Sequence, residues 1–222
     1  MIQLHFCPST ASMAPHILLE ELGVPFEKIL VDTAQGAHRT AVYKKLNPNG
    51  LVPVLVDGDL VLYESAAICL HLCDMHPKAG LAPALGTPAR AHFYKWLVWL
   101  TNTLQATLII YFYAERWVTE GEGQSVRIAA LKAQAELKVG GLLDQLDSEL
   151  AKLDGPSTEP WLLGKHFSAV DAYALMLCRW TRNFQSSPAR DRAHLGPYLQ
   201  RVLARPAVVR AFAAEELAQP WV

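Results

Sequence analysis

Two short segments of this 222-residue sequence combine residue types able to bind a small polar ligand. The first is Leu51-Val52-Pro53-Val54-Leu55, a proline set inside a strand-like run. Proline removes a ladder donor, so it belongs at a strand's first position, on an edge or in a special turn. A cis Val52–Pro53 bond would leave the Val52 amide and carbonyl facing outward, where an extended peptide can pair with them by strand addition. An ordinary edge-strand proline accounts for the same residues. The second segment is Glu64-Ser65. A serine at a helix start can simply cap it. It can also offer its hydroxyl and amide to a ligand carboxylate at the positive end of the helix dipole, with Glu64 holding an ammonium group. A ligand carrying both a carboxylate and an amine, such as a γ-glutamyl group, suits the pair.

The cysteines offer less. Cys7 precedes Pro8 at the end of an apolar strand, and no second cysteine follows three residues on. Cys69 and Cys73 share a helical face but lack the further ligands a metal site needs, so both read as core and no metal is expected. Four cysteines in all fit a reduced, cytoplasmic protein better than a disulfide scaffold. Hydrophobic residues at 51% and charged ones at 18% describe a chain that folds. With 20 basic against 21 acidic residues, no overall field attracts nucleic acid. The most apolar run, residues 104–113, is too short to span a membrane, and the N-terminus has no secretory pattern.

These segments need a scaffold. Residues 1–6 read as a strand, 12–22 as a helix ended by Gly23, and 26–31 as a second strand. Residues 52–56 and 60–63 flank Asp57-Gly58-Asp59, a hairpin signal, and Ser65 opens a helix to Asp74. Strand, helix, strand, hairpin and helix make a small α/β domain over 1–77. Residues 78–88 have linker composition, and an all-helical domain over 89–222 follows. There Thr87-Pro88 caps a long helix whose buried face is Phe93, Leu97, Leu100, Leu104 and Leu108. A second long helix buries Leu131, Ala135, Val139, Leu142, Leu146, Leu150 and Leu153 and stops at Gly155-Pro156. Ser168-Ala169-Val170-Asp171 forms a capping box for a third, and two short helices follow Gly196-Pro197 and Pro206.

Taken together with their spacing, Gly36-Ala37-His38-Arg39-Thr40, Leu46-Asn47-Pro48-Asn49-Gly50-Leu51-Val52-Pro53 and Tyr63-Glu64-Ser65-Ala66-Ala67-Ile68 resemble the N-terminal domain of cytosolic glutathione transferases, and across this stretch the resemblance is close to that of the phi class. The stretch Ser168 to Tyr173 resembles the capping box of that superfamily's helical domain, and Pro8 to His16 is similar to the bacterial beta class. The resemblance implies a thioredoxin-like α/β domain that binds glutathione as co-substrate, and an all-α domain that shapes a pocket for a small hydrophobic electrophile. It also implies a homodimer. Residue by residue, Val52 before cis-Pro53 would pair with the cysteinyl backbone, Glu64 and Ser65 would hold the γ-glutamyl end, and His38 and Arg39 would reach the glycyl carboxylate. Leu51 stands where a glutamine is frequent, so one side-chain contact is missing.

Such chemistry needs glutathione as the thiolate, and a hydroxyl donor or a helix N-terminus can lower the thiol pKa. The position matching the beta-class cysteine is Ala11, so mixed-disulfide chemistry is not expected. Ser9 falls where the phi and theta classes place their activating serine. Ser12 is its rival, and Thr10 a weaker third that also faces the ligand. The electrophile pocket would be lined by the first loop and by Gln105, Leu108, Ile109, Tyr111, Phe112 and Tyr113, with Gln105-Ala106 in place of a beta-class His-Lys pair. Conjugation of glutathione to hydrophobic electrophiles is the expected reaction. Peroxide reduction or isomerisation on the same site, or a non-catalytic protein of the same fold, are the alternatives. Retention of Pro53, Glu64 and Ser65 speaks against the last.

Overall fold

The computed structural model describes residues 1–153 and 160–222; the Gly155-Pro156 helix stop lies outside them. The first third builds a four-stranded mixed sheet in the order β2-β1-β3-β4. Strand β1 (Ile2–Phe6) pairs parallel with β2 (Phe26–Leu30) and antiparallel with β3 (Val54–Asp57), which pairs antiparallel with β4 (Leu60–Tyr63). In β1, Leu4 and Phe6 alternate into the core. Helix α1 (Met13–Leu22) carries Pro15 in its first turn, where a missing N–H costs no helical bond. It ends at Gly23, whose φ of 63° lets its N–H cap Leu19 O. The hairpin turn is Gly58-Asp59, with Asp57 opposite Leu60 in the ladder and Gly58 at φ 59° as the first turn residue.

Helix α2 (Ser65–Met75) completes this unit, and a single 3₁₀ turn, Pro77–Ala79, interrupts the path to α3 (Pro88–Trp99). Thr87 Oγ1 accepts from Arg90 N, with Pro88 at the first helical position, as expected. The long helix is not uniform: Leu100–Gln105 is π-helical before α4 (Ala106–Phe112) resumes. Helix α5 (Gln124–Leu153) starts two turns earlier than its apolar pattern and buries Ala135, Val139, Leu143, Leu146 and Leu150. Leu143, not Leu142, is the buried one, and Leu153 is exposed. Then come α6 (Ala169–Trp180), α7 (Leu195–Leu203) and α8 (Pro206–Ala214). At the start of α6 the capping box is present, and Asp171 accepts from Leu162 N, Ser168 N, Ser168 Oγ and Tyr198 Oη at 2.8–2.9 Å.

One apolar cluster joins both halves, from Leu4 and Ile17 to Leu175 and Phe212. Helix α8 is clamped on α1 by Arg205 to Glu21 and Arg210 to Glu20. That clamp sets the residues after α8 against the β1–α1 loop. No helix among the described residues is long and apolar enough to cross a membrane.

Candidate active site

Strand register gathers the expected site. His5 lies opposite Val54, and Val54 opposite Tyr63. The residues that follow β1, precede β3 and follow β4 therefore leave the same end of the sheet. Phe6 lies beside Leu30 in the parallel pair, so the loop after β2 starts there too. Residues 7–12, the 31–53 loop with its Val52-Pro53 end, and Glu64-Ser65 thus converge from sequence positions far apart.

The Val52–Pro53 bond is cis. Strand β3 begins only at Val54, two residues later than its sequence pattern, so Val52 stands beyond the ladder. The approach to it is fixed by the Leu51 carbonyl, which accepts from Tyr43 Oη at 2.9 Å and Asn47 Nδ2 at 2.8 Å. Burial pushes the Tyr43 phenol up to about 12, so it remains a donor at neutral pH. Gly50, at φ 61°, is needed here, because a Cβ would sit 2.9 Å from His38 O. His38 is half-buried with Nδ1 unpartnered, whereas Arg39 is exposed. Among the described residues no side-chain hydrogen bond or ion pair joins either to Val52, Glu64 or Ser65.

Glu64 caps α2 at φ 72°, ψ 113°, a conformation that costs a non-glycine residue about 1–3 kcal/mol. Its side chain is exposed. Ser65 is buried, and its hydroxyl donates to Ala11 O at 2.8 Å, which ties α2 to the β1–α1 loop. The free donors at this helix start are the first-turn amides, Ser65 N–H among them.

The three hydroxyls of the β1–α1 loop have different surroundings. Ser12 is 0% exposed, donates to Cys7 O at 2.9 Å and accepts from Cys7 N at 3.3 Å. Thr10 Oγ1 donates to the same Cys7 carbonyl at 2.7 Å. Both side chains are spent on shaping the loop. Cys7 itself touches Thr33 Oγ1 at 3.3 Å. Ser9 differs: at φ 62°, its Oγ accepts from Arg179 Nε at 3.3 Å, which leaves its own proton uncommitted.

Sequence reasoning missed the helical domain's share. Ser9 N donates to Glu215 Oε2 at 2.9 Å, and Glu215 Oε1 meets His16 Nδ1 at 2.8 Å, with both of those side chains fully buried. Arg179, on α6, also donates to Trp221 O at 2.7 Å and Pro220 O at 3.3 Å. Burial pushes its guanidinium down to about 10, so it stays a cation at neutral pH. The one visible signal was an arginine inside the apolar run Ala172 to Trp180. The pocket residues also need correction. Leu108 is core, and Gln105 Oε1 accepts from buried Tyr173 Oη at 2.6 Å. Tyr111 packs on Phe184, and exposed Phe112 lies against Trp180, next to Arg179. A cavity of about 430 Å³ at the opposite end of the sheet, lined by Met1, Val24, Pro25, Asp57 and Met75 among others, contains none of the expected site residues.

Residues 8–75 match the glutathione S-transferase N-terminal domain family, and residues 100–206 match its C-terminal domain family. The chain belongs to the glutathione S-transferases. Among curated relatives, glutathione S-transferase GST-4.5 of Xanthomonas campestris is 29% identical, with 97% of this chain and all of that protein aligned. Escherichia coli GstB is 33% identical over 86% of this chain and 88% of its own length. A solved glutathione transferase homologue from Sulfitobacter, with bound glutathione, superposes with a TM-score of 0.85 at 27% identity, covering 98% and 99% of the two chains. The N-terminal match contains every expected site residue, from Ser9 to Ser65. Arg179 falls within the transferase C-terminal match, and Glu215 lies beyond it.

Proposed function

We propose that this chain is a glutathione transferase that binds glutathione at the convergent end of the sheet, ionises its thiol and directs the thiolate at a small hydrophobic electrophile. The observation that carries this reading is the meeting of a cis Val52–Pro53 bond, the α2 N-terminus and the Ser9 loop at one sheet end. In it, Val52 pairs through its backbone with the cysteinyl residue, as a strand addition. The Ser65 amide and the α2 dipole take the γ-glutamyl carboxylate, and the exposed Glu64 carboxylate takes the amine. His38 and Arg39 reach the glycyl carboxylate. Ser9 donates its free proton to the sulfur, while Ser12 and Thr10 hold the loop.

The thiol proton leaves to water, and the Ser9 O–H stabilises the remaining anion. The sulfur lone pair then attacks an electrophilic carbon, and the leaving group departs with its bonding pair. Proximity and thiolate activation supply the acceleration. Tyr111, Phe112 and Tyr113 offer an apolar wall for the electrophile. The reading includes a cytoplasmic homodimer and a division at 78–88 between the glutathione-binding unit, 1–77, and the helical unit, 89–222. Retention on immobilised glutathione, followed by turnover of a panel of aryl halide and activated-alkene electrophiles, tests it. The wild-type protein should be retained and should conjugate at least one; loss of retention rejects the binding site, and retention without turnover rejects catalysis.

A further inference from the structure

Ser9 is held in a way its loop does not require. At φ 62° a glycine would fit without penalty, whereas serine carries a backbone cost of about 1–3 kcal/mol. Its side chain is therefore wanted, and two charged groups of the helical domain fix it from opposite sides. Glu215, just after α8, accepts from its N–H at 2.9 Å, and Arg179, on α6, donates to its Oγ at 3.3 Å. Arg179 is only 2% exposed. A cation is costly to bury, and the tail carbonyls of Pro220 and Trp221 occupy only Nη1. Glu215 and Arg182 are the charged groups that act on it, and the Phe212 ring lies 5.4 Å from its guanidinium carbon.

We infer that Arg179 is a positioning residue for thiolate formation: by donating from Nε to Ser9 Oγ, it occupies a lone pair, turns the Ser9 proton toward the glutathione sulfur and makes that O–H a stronger donor. This rests on the reading of Ser9 given above. A hydrogen bond from a cation polarises the hydroxyl it feeds, and at 3.3 Å this one has room to shorten when the sulfur draws the Ser9 proton. The thiol proton goes to solvent, and no group is transferred to Arg179. Among the described residues no hydrogen bond joins Arg179 to the segments assigned to the γ-glutamyl and glycyl ends, so its effect falls on ionisation and kcat rather than on glutathione affinity.

The test is a pH titration of the ultraviolet thiolate band of bound glutathione in wild type, Ser9→Ala, Arg179→Lys, Arg179→Gln and the Ser9→Ala/Arg179→Gln double variant, with glutathione Kd measured on each. Removing the guanidinium should raise the bound thiol's pKa by about one unit, about tenfold less thiolate at a pH below it, with Kd changed less than about threefold. In the Ser9→Ala background the Arg179 substitution should shift nothing further. A shift of equal size in both backgrounds, or none in either, overturns the proposal while leaving Ser9 in place. Identical titrations of wild type and Ser9→Ala overturn both. Should the Arg179 variants fail to fold, the wild-type arginine Nε–H resonances give a second readout. One should move on adding glutathione and remain still in Ser9→Ala; the absence of any such movement counts against the inference.

Discussion

Glu215 is the residue through which the helical domain grips the β1–α1 loop, and its removal has a cost that can be worked out. Its carboxylate accepts from Ser9 N at 2.9 Å and lies 2.8 Å from His16 Nδ1, with the Glu215 and His16 side chains both fully buried. A carboxylate can only accept, so Nδ1 carries a proton, while the buried Nε2 has no partner. Glu215→Ala strands the buried His16 Nδ1–H and the part-buried Ser9 N–H. At about 1.5–3 kcal/mol for each bond to a charged group, the loss is about 3–6 kcal/mol. For a chain of this length, at about 2–4 °C per kcal/mol, Tm falls by roughly 6–24 °C. Glu215→Gln is milder. Its oxygen can still serve Ser9 N–H, but its amide N–H then faces the His16 Nδ1–H, donor against donor, so about 1.5–3 kcal/mol is lost. Urea unfolding followed by tryptophan fluorescence, at one fixed protein concentration, ranks the three proteins. Because Ser9 loses its N–H anchor, kcat should drop more than KM rises in both variants. Glu215→Ala within about 1 kcal/mol of wild type, or more stable than Glu215→Gln, would refute the reasoning.

Other sites give sharp expectations. Asp171→Asn sets an amide against the Ser168 N–H and hydroxyl, and should lower stability by about 3–5 kcal/mol and cut refolding yield in dilution experiments. Gly196→Ala would place a Cβ 2.3 Å from Arg190 O; calorimetry should record a loss of about 1–3 kcal/mol as α7 shifts. Gly50→Ala combines a positive φ with a Cβ 2.9 Å from His38 O, so KM for glutathione should rise while kcat holds. Ser12→Ala removes a buried donor to Cys7 O and should cost about 1–2 kcal/mol of stability with near-normal turnover of the folded protein; a loss of kcat at unchanged stability would move the catalytic role from Ser9 to Ser12.

What the sequence made legible were features written within a few residues. Gly23 after α1, Thr87-Pro88 before α3 and the Ser168–Asp171 box each announce a helix end by local hydrogen bonding alone, and each is found in place. The hairpin was equally local, although Asp57 proved to be strand and Gly58-Asp59 the turn. Periodicity placed α5 but missed Leu143, because adjacent leucines at 142 and 143 differ by one helical step that packing decides. The π-helical stretch Leu100–Gln105 left no mark in the apolar spacing. At the site, Val52, Glu64 and Ser65 stood out by residue type. Position in the sequence favours Ser9 over Ser12; burial and the partners of each hydroxyl add that Ser12 is spent on Cys7 O while the Ser9 proton is uncommitted. Arg179 and Glu215 reach Ser9, and Glu215 reaches His16, across sequence separations of 170 to 206, and nothing local foretells such contacts.

The central claim is that glutathione lies along Val52 with its sulfur at Ser9, and a structure of this protein with glutathione bound tests it most directly. The account predicts a cysteinyl backbone paired with Val52, a γ-glutamyl carboxylate on the Ser65 amide and a sulfur within hydrogen-bond distance of Ser9 Oγ, with Arg179 Nε still on that oxygen. A sulfur placed at Ala11 or Ser12 with Ser9 turned away, or glutathione seated in the cavity at the opposite end of the sheet, would contradict it.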